Sequence, residues 1–95
     1  MRTIITGGLL VRAQSRSESD VVIVDGRIDS VVPRGVVVAV DGDTVIDAAG
    51  CYVVPGAVDA HVHMQLDTGA TVSSDSFGSG TIAAAHGGTT TIVDF

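Results

Sequence analysis

Residues 55–63 read PGAVDAHVH, and this stretch decides how the second half of the chain is interpreted. Because side chains alternate between the two faces of a strand, His61 and His63 are expected to point the same way, with Cα atoms about 6.5–7 Å apart. Two imidazoles at that spacing can converge on one metal ion. The opposite face, formed by Val58, Ala60 and Val62, is then apolar and is expected to pack against a helix. The pattern predicts a strand over residues 57–64 with a metal-binding pair near its end.

The context of this histidine pair favours a metal site over the alternatives, which are a chance pair or two structural histidines. A polar loop is expected over residues 65–72, followed by a helix with Ser73 or Ser74 as N-cap and Asp75 in its first turn. Gly87-Gly88 ends that helix, and residues 89–94 form a second strand. Strand, helix and strand with short connections predict a parallel βαβ unit with a right-handed crossover. Two parallel strands cannot cover both of their faces, so this unit is expected to open a larger α/β domain.

The first half of the chain is β-rich in pattern. Asp25-Gly26 between two apolar runs is a strong hairpin signal. Residues 13–20 are polar and are expected to form a loop. Strands are predicted at residues 3–6, 9–12, 21–24, 27–32, 36–40, 44–47 and 51–54. This spacing predicts a small β-sandwich or barrel-like lobe over residues 1–54, with the second unit over residues 55–95.

Composition excludes several classes of function. The chain is 45% hydrophobic and 17% charged, which is typical of folded protein. A formal net charge of -6 argues against nucleic acid and against anionic membrane surfaces as partners. No apolar run approaches the ~20 residues of a membrane span. The single cysteine, Cys51, allows no intrachain disulfide, and the N-terminus lacks a signal-peptide pattern, so a cytoplasmic location is expected.

The stretch at residues 55–63 resembles the first-strand signature of the amidohydrolase superfamily. The likeness extends upstream through VIDAAG (residues 45–50) and YVVPG (residues 52–56). Downstream, AAAHGGTTTIVDF (residues 83–95) is similar to the first helix and second strand of hydantoinases and dihydropyrimidinases. The resemblance covers essentially the whole chain and is most specific in its second half.

This resemblance implies a fold and a chemistry. It implies a TIM-like (β/α)8 barrel with two divalent metals, usually zinc, per full-length chain, bridged by a carboxylated lysine and a hydroxide. The hydroxide attacks a ring amide carbonyl, and an aspartate late in the barrel moves the proton. His61 and His63 match two of the metal ligands. The implied substrate is a dihydropyrimidine or a 5-substituted hydantoin, and the implied assembly is a homo-tetramer.

The chain lacks residues that this chemistry requires. It contains no lysine, since its five basic residues are Arg2, Arg12, Arg16, Arg27 and Arg34. The bridging lysine and the catalytic aspartate are therefore expected beyond residue 95. We expect the chain to be an N-terminal fragment that is inactive alone, exposes apolar surface, and aggregates or stays loosely folded.

Several other residues are weaker candidates. Asp59 could accept a hydrogen bond from the His61 ring and orient it, or could bind backbone instead. Leu66 lies in the loop after the first strand and is a candidate substrate contact, although residues 66–68 lack the proline and the aromatic found there in many hydantoinases. His86 suits the negative end of the helix dipole better than a metal. Cys51 is expected to be a small buried apolar residue, and Asp94 has no assigned role.

Other functions remain open at this point. Allantoinases and dihydroorotases share the barrel and the histidine pair. A non-catalytic scaffold related to dihydropyrimidinase is a second alternative, and the retained His61 and His63 count against it. A small β-rich metal-binding module is a third, but two histidines alone would bind metal weakly.

Overall fold

The computed structural model describes residues 1–95, which divide into two compact units, Met1–Pro55 and Gly56–Phe95. The chain is mostly β-strand with one α-helix. It contains no helix with the length and apolar character needed to cross a membrane. The assignment of the two units to a β-sandwich lobe and to the start of a barrel stays a prediction.

The first unit consists of two small sheets. Its strands are β1 (Arg2–Thr6), β2 (Leu9–Arg12), β3 (Ser15–Ser17), β4 (Ser19–Val24), β5 (Arg27–Pro33), β6 (Thr44–Asp47) and β7 (Tyr52–Val53). One sheet has the order β5-β4-β1-β6 and the other has the order β3-β2-β7. Strand β1 pairs antiparallel with β4 and parallel with β6, so the first sheet is mixed.

The core of the first unit surrounds a buried carboxylate. The buried apolar side chains are Ile4, Leu10, Val21, Val22 and Ala48. Asp20 is 1% exposed, and its carboxylate accepts hydrogen bonds from Thr6 Oγ1 and from the Gly35 amide, both at 2.7 Å. Burial raises the pKa of Asp20, but hydrogen bonds from Gly35, Thr6 and Gly7 and the charge of Arg34 outweigh it, so the net pKa lies below its usual range. Asp20 therefore ties β1 and the turn after β5 to β4 while it is ionised.

The β4–β5 hairpin confirms the prediction made from Asp25-Gly26. Both turn residues have positive φ, 49° at Asp25 and 78° at Gly26, as a two-residue type I′ turn requires. Val24 pairs with Arg27 across the turn. The turn twists in the same sense as its flanking strands, which explains why this pair of residues is so reliable a signal.

The predicted loop over residues 13–20 is wrong. Strand β3 lies within it and pairs antiparallel with β2, with Leu10 opposite Ser17 and Arg12 opposite Ser15. Strand β4 also begins earlier than predicted, at Ser19. Strand β3 is an edge strand with polar side chains that are mostly exposed, so its polarity reflects solvent contact and not an absence of backbone pairing.

The predicted strand over residues 36–40 is also wrong. Its alternate valines are exposed to solvent, at 63% for Val36 and 75% for Val38. Side chains bind its backbone groups in place of a neighbouring strand. The Arg2 guanidinium donates to the Val38 carbonyl at 3.3 Å, and the Val40 amide donates to Asp43 Oδ2 at 2.9 Å. The Arg2–Asp43 ion pair thus holds this segment without a β ladder.

The second unit is a strand, a helix and a strand, as predicted. Its elements are β8 (Ala57–Val62), α1 (Phe77–His86) and β9 (Thr89–Asp94), and the two strands are parallel. Strand β8 is two residues shorter than predicted. The right-handed crossover and the remainder of a barrel stay predictions.

Helix α1 begins two or three residues later than the sequence pattern suggests. Its N-cap is Ser76 and not Ser73 or Ser74, and it forms a capping box in which the Ser76 and Ser79 hydroxyls each accept from the other residue's amide at 3.0 Å. Asp75 precedes the cap, and its carboxylate accepts from the Ser79 hydroxyl. The helix ends at the predicted place, with Gly87 as C-cap and Gly88 at φ 86°.

The second unit buries almost no apolar surface of its own. Gly80 is its only buried residue. Val58, on the face predicted to pack against a helix, is 64% exposed, and Ile82 on α1 is 62% exposed. The expected packing of the Val58 face is therefore not present within this unit.

Candidate metal site

His61 and His63 converge at the carboxyl end of β8. His61 is the fifth residue of the strand and His63 follows one residue after its end. Their Nε2 atoms lie 3.1 Å apart, and their rings meet edge to face with centroids 4.9 Å apart. The two side chains share one side, as the alternation of a strand predicts, and both are exposed.

This spacing fits one divalent metal bound by both rings. Two nitrogens on a tetrahedral zinc, at Zn–N distances of about 2.0–2.1 Å, lie about 3.3 Å apart. The observed separation of 3.1 Å, at which the two rings hydrogen-bond to each other in the absence of metal, is close to that value. Neutral imidazole nitrogen is also a preferred donor for zinc. The donor atoms and their spacing therefore both suit such an ion.

A backbone carbonyl sets the orientation of the second ring. His63 Nδ1 lies 3.2 Å from the Phe95 carbonyl oxygen, which can only accept, so Nδ1 carries the hydrogen. The lone pair of the neutral ring is then on Nε2, the atom that faces His61. A hydrogen bond from the far nitrogen of a histidine to a carbonyl is the usual way in which proteins orient a metal-binding imidazole.

Asp94, to which the sequence assigned no role, contacts this site through the backbone. Its Oδ1 accepts from the Met64 amide at 2.7 Å, directly after His63. The Phe95 amide donates to the Val62 carbonyl at 3.0 Å, on the other side of His63. The end of β9 therefore holds both peptides that flank His63. The available signal was the position of Asp94 at the end of the strand predicted to pair with β8.

Asp59 binds backbone in this structure. Its Oδ1 accepts from the His61 amide at 3.1 Å. The carboxylate makes no hydrogen bond with the His61 ring, so the structure does not support the alternative in which Asp59 orients that imidazole.

Leu66 lies in the loop between β8 and α1, and hydrogen bonds within that loop hold its two sides together. The Leu66 amide donates to Ser73 Oγ and the Ser73 amide donates to the Leu66 carbonyl, both at 2.9 Å. Gln65 Oε1 accepts from the Phe77 amide at 2.9 Å, which joins the loop to the first turn of α1. The Leu66 side chain remains 36% exposed and available for contact.

The remaining candidates do not join the histidine pair. His86 lies in the last turn of α1, and nowhere do three or more His, Cys, Asp or Glu side chains come together as a metal-binding group. Cys51 is exposed, so the prediction that it is buried is wrong; it precedes the two-residue strand β7 instead of packing within a longer one. The chain supplies two donors, and zinc sites generally use at least three protein ligands.

Comparison with known proteins identifies the chain. No family model matches it. Over 99% of its length it is 49% identical to the D-hydantoinase of Streptomyces coelicolor. Over its whole length it is 50% identical to the D-hydantoinase of Geobacillus stearothermophilus. The chain belongs to the hydantoinase/dihydropyrimidinase family.

Solved structures of this family show the same fold over the whole chain. A D-hydantoinase crystal structure superposes with a TM-score of 0.90 at 47% identity, and the dihydropyrimidinase of Brevibacillus agri with a TM-score of 0.89 at 40% identity. Both cover 100% of this chain. The chain spans about a fifth of the length of these hydantoinase and dihydropyrimidinase relatives, with 21% and 20% of the two sequences covered.

Proposed function

We propose that the chain is part of a metal-dependent hydrolase that opens a cyclic amide ring, and that His61 and His63 bind one of its metal ions. The observation that carries the proposal is the 3.1 Å approach of the two Nε2 atoms at the end of β8. The 49–50% identity of the chain to two D-hydantoinases also supports it.

Each residue of the site has a proposed task. His61 and His63 hold the ion through Nε2, and the Phe95 carbonyl keeps the His63 lone pair on that atom. When bound, a divalent metal supplies Lewis acidity to a carbonyl oxygen and lowers the pKa of water. By family resemblance the full-length protein holds two zinc ions, and its bridging lysine and catalytic aspartate lie beyond residue 95.

The proposed substrate is a hydantoin or a dihydropyrimidine, the ring classes in the names of the relatives. The loop after β8 follows the strand end that carries the histidine pair, and substrate contacts in barrel enzymes come from such loops. We therefore propose Leu66 as a substrate contact. Allantoinase- or dihydroorotase-like activity and the scaffold function remain alternatives, and the convergent histidine pair favours an enzyme.

The proposed architecture of the full-length protein is a TIM-like barrel that begins with β8, α1 and β9. The parallel β8–β9 pairing supports this, as does the exposure of Val58 and Ile82, since a barrel would cover both faces of these elements. Homo-tetramer formation and a cytoplasmic location are predictions from the resemblance and from composition.

The test is hydrolysis of hydantoin and dihydrouracil by the 95-residue chain and by a full-length protein that carries it. We expect ring opening by the full-length protein and none by the short chain. Activity of the short chain that is lost in His61→Ala would contradict the proposed need for later strands. A full-length protein that hydrolyses neither ring would contradict the proposed substrate class.

A further inference from the structure

We propose that Asp94 is a positioning residue that keeps His63 in metal-binding geometry by fixing the peptide that follows it. The inference rests on the proposed function, since it concerns how the histidine pair is held. It does not make Asp94 a ligand or a participant in the reaction.

His63 requires such support because it lies outside the strand. Strand β8 ends at Val62, so the regular β8–β9 ladder does not restrain the backbone of the second histidine. His61, in contrast, lies within β8. A residue just past a strand end frays more readily than one inside it, and its side chain moves with it.

The end of β9 replaces the missing ladder with three hydrogen bonds. Asp94 Oδ1 accepts from the Met64 amide at 2.7 Å, and the Phe95 amide donates to the Val62 carbonyl at 3.0 Å. The Phe95 carbonyl then accepts from His63 Nδ1 at 3.2 Å. Two adjacent residues thus hold the peptides before and after His63 as well as its ring. The Asp94 carboxylate is the only side-chain group that the end of β9 contributes to these three hydrogen bonds, so it is the contact that a substitution in β9 can remove.

The chemistry of Asp94 suits this task. An amide that donates to a carboxylate forms a stronger hydrogen bond than one that donates to a neutral oxygen. The carboxylate is directed at the Met64 amide, and it does not form a group of three potential ligands with the two histidines. Loss of a group that orients a metal-binding histidine typically weakens metal binding by about 10–100-fold.

The test compares Asp94→Ala with Asp94→Asn in the full-length protein. Asparagine keeps an acceptor oxygen for the Met64 amide, whereas alanine removes it. Asp29→Ala is the matched control, because it removes the same charge from an exposed residue of β5. Two quantities are measured: the Zn²⁺ dissociation constant by competition with a chelator, and hydrogen exchange of the Met64 amide in metal-free protein.

We expect Asp94→Ala to weaken Zn²⁺ binding at least about 10-fold and to speed exchange of the Met64 amide. Asp94→Asn is expected to keep the Zn²⁺ affinity and the Met64 exchange rate near their wild-type values. Asp29→Ala is expected to leave both quantities unchanged. If exchange quickens while Zn²⁺ affinity does not fall, the hydrogen bond exists but does not position His63, and the proposal is overturned. Wild-type Zn²⁺ affinity and Met64 exchange in Asp94→Ala would also overturn it, as would Zn²⁺ binding by Asp94→Asn that is as weak as that of Asp94→Ala.

These outcomes separate the proposal from the proposed function. Tight Zn²⁺ binding by wild type, lost in His61→Ala but kept in Asp94→Ala, refutes only the role of Asp94. A wild-type protein that binds no Zn²⁺ refutes the metal site and the role of Asp94 together. If Asp94→Ala fails to fold, the test rests on Asp94→Asn. Weaker Zn²⁺ binding by folded Asp94→Asn without faster exchange of the Met64 amide would show that loss of this hydrogen bond is not what weakens Zn²⁺ binding.

Discussion

The Nε2 atoms of His61 and His63 lie 3.1 Å apart although the two residues are held by different means. Strand β8 holds the first, and hydrogen bonds from the end of β9 hold the second. The site therefore depends on the pairing of β8 with β9 and not on the histidine motif alone. Changes that disturb that pairing are expected to disturb metal binding without touching either histidine.

Gly56→Ala provides such a change. A Cβ at Gly56 would lie 2.7 Å from the Cβ of Thr90, which is a stiff β-branched residue on the neighbouring strand. We expect a loss of about 1–3 kcal/mol in the free energy of local unfolding of β8, measured by hydrogen exchange in the full-length protein. Thr90→Gly in the same protein should remove most of that loss, because it removes the clash.

Gly78→Ala is the matched control for that substitution. Its Cβ would meet only Ser76 Oγ, at the ordinary distance of 3.6 Å, within a helix. Alanine there should be neutral or should stabilise α1 by roughly 0.5–1 kcal/mol. Equal destabilisation by the two alanines would refute a specific clash at Gly56.

Ser76→Ala is expected to destabilise the start of α1 by about 1 kcal/mol. The hydroxyl accepts from the Ser79 amide at 3.0 Å, and alanine leaves that amide without a partner. Hydrogen exchange of the Ser79 amide is the readout. Ser74→Ala, at a position that the sequence pattern also suggested as a cap, should have no such effect. Faster exchange in Ser74→Ala than in Ser76→Ala would contradict the observed cap.

Asp20 is expected to make the first unit sensitive to acid. Its pKa is lowered in the folded chain, so the stability that it adds is present above the ordinary aspartate pKa and is lost as pH falls through the lowered value. Asp20→Asn should lower the protection of β4 amides by about 2–3 kcal/mol at pH 7, since asparagine removes the charge and keeps only one of the two oxygens that accept from Thr6 and Gly35. The difference from wild type should shrink below about pH 4. A difference that grows in acid would contradict the ionised state.

The 95-residue chain alone is expected to bind a hydrophobic dye. Large apolar side chains are open to solvent in both units, with Val38 75% exposed in the first and Phe95 68% exposed in the second. Exposed apolar surface of this kind promotes dye binding and aggregation. A monodisperse chain with a cooperative thermal transition and no dye fluorescence would refute the prediction.

The sequence predicted those elements in which local and long-range preferences agree. Asp25 and Gly26 form the hairpin turn, residues 89–94 form a strand, and the pair at Gly87-Gly88 ends the helix. Each depends on backbone preferences that act over a few residues. The shared side of His61 and His63 was predictable from strand alternation, but the hydrogen bonds by which the end of β9 holds His63 were not.

The errors arose where partners distant in sequence decide the structure. Val36, Val38 and Val40 alternate like a strand, but Arg2 binds the Val38 carbonyl, Asp43 binds the Val40 amide, and no neighbouring strand pairs with the segment. Strand β3 is polar because it is an exposed edge. The contact of Asp94 with Met64 spans 30 residues and depends on the register of β8 against β9, which no local pattern specifies.

The central claim is that His61 and His63 together bind a metal ion, and zinc content per chain in the full-length protein tests it most directly. Wild type, His61→Ala, His63→Ala and the control His86→Ala would be purified identically and measured by atomic emission. We expect about two zinc ions in wild type and in His86→Ala, and a loss of at least one in each of the other two variants. Wild-type zinc content in His61→Ala and His63→Ala would contradict the assignment of the site.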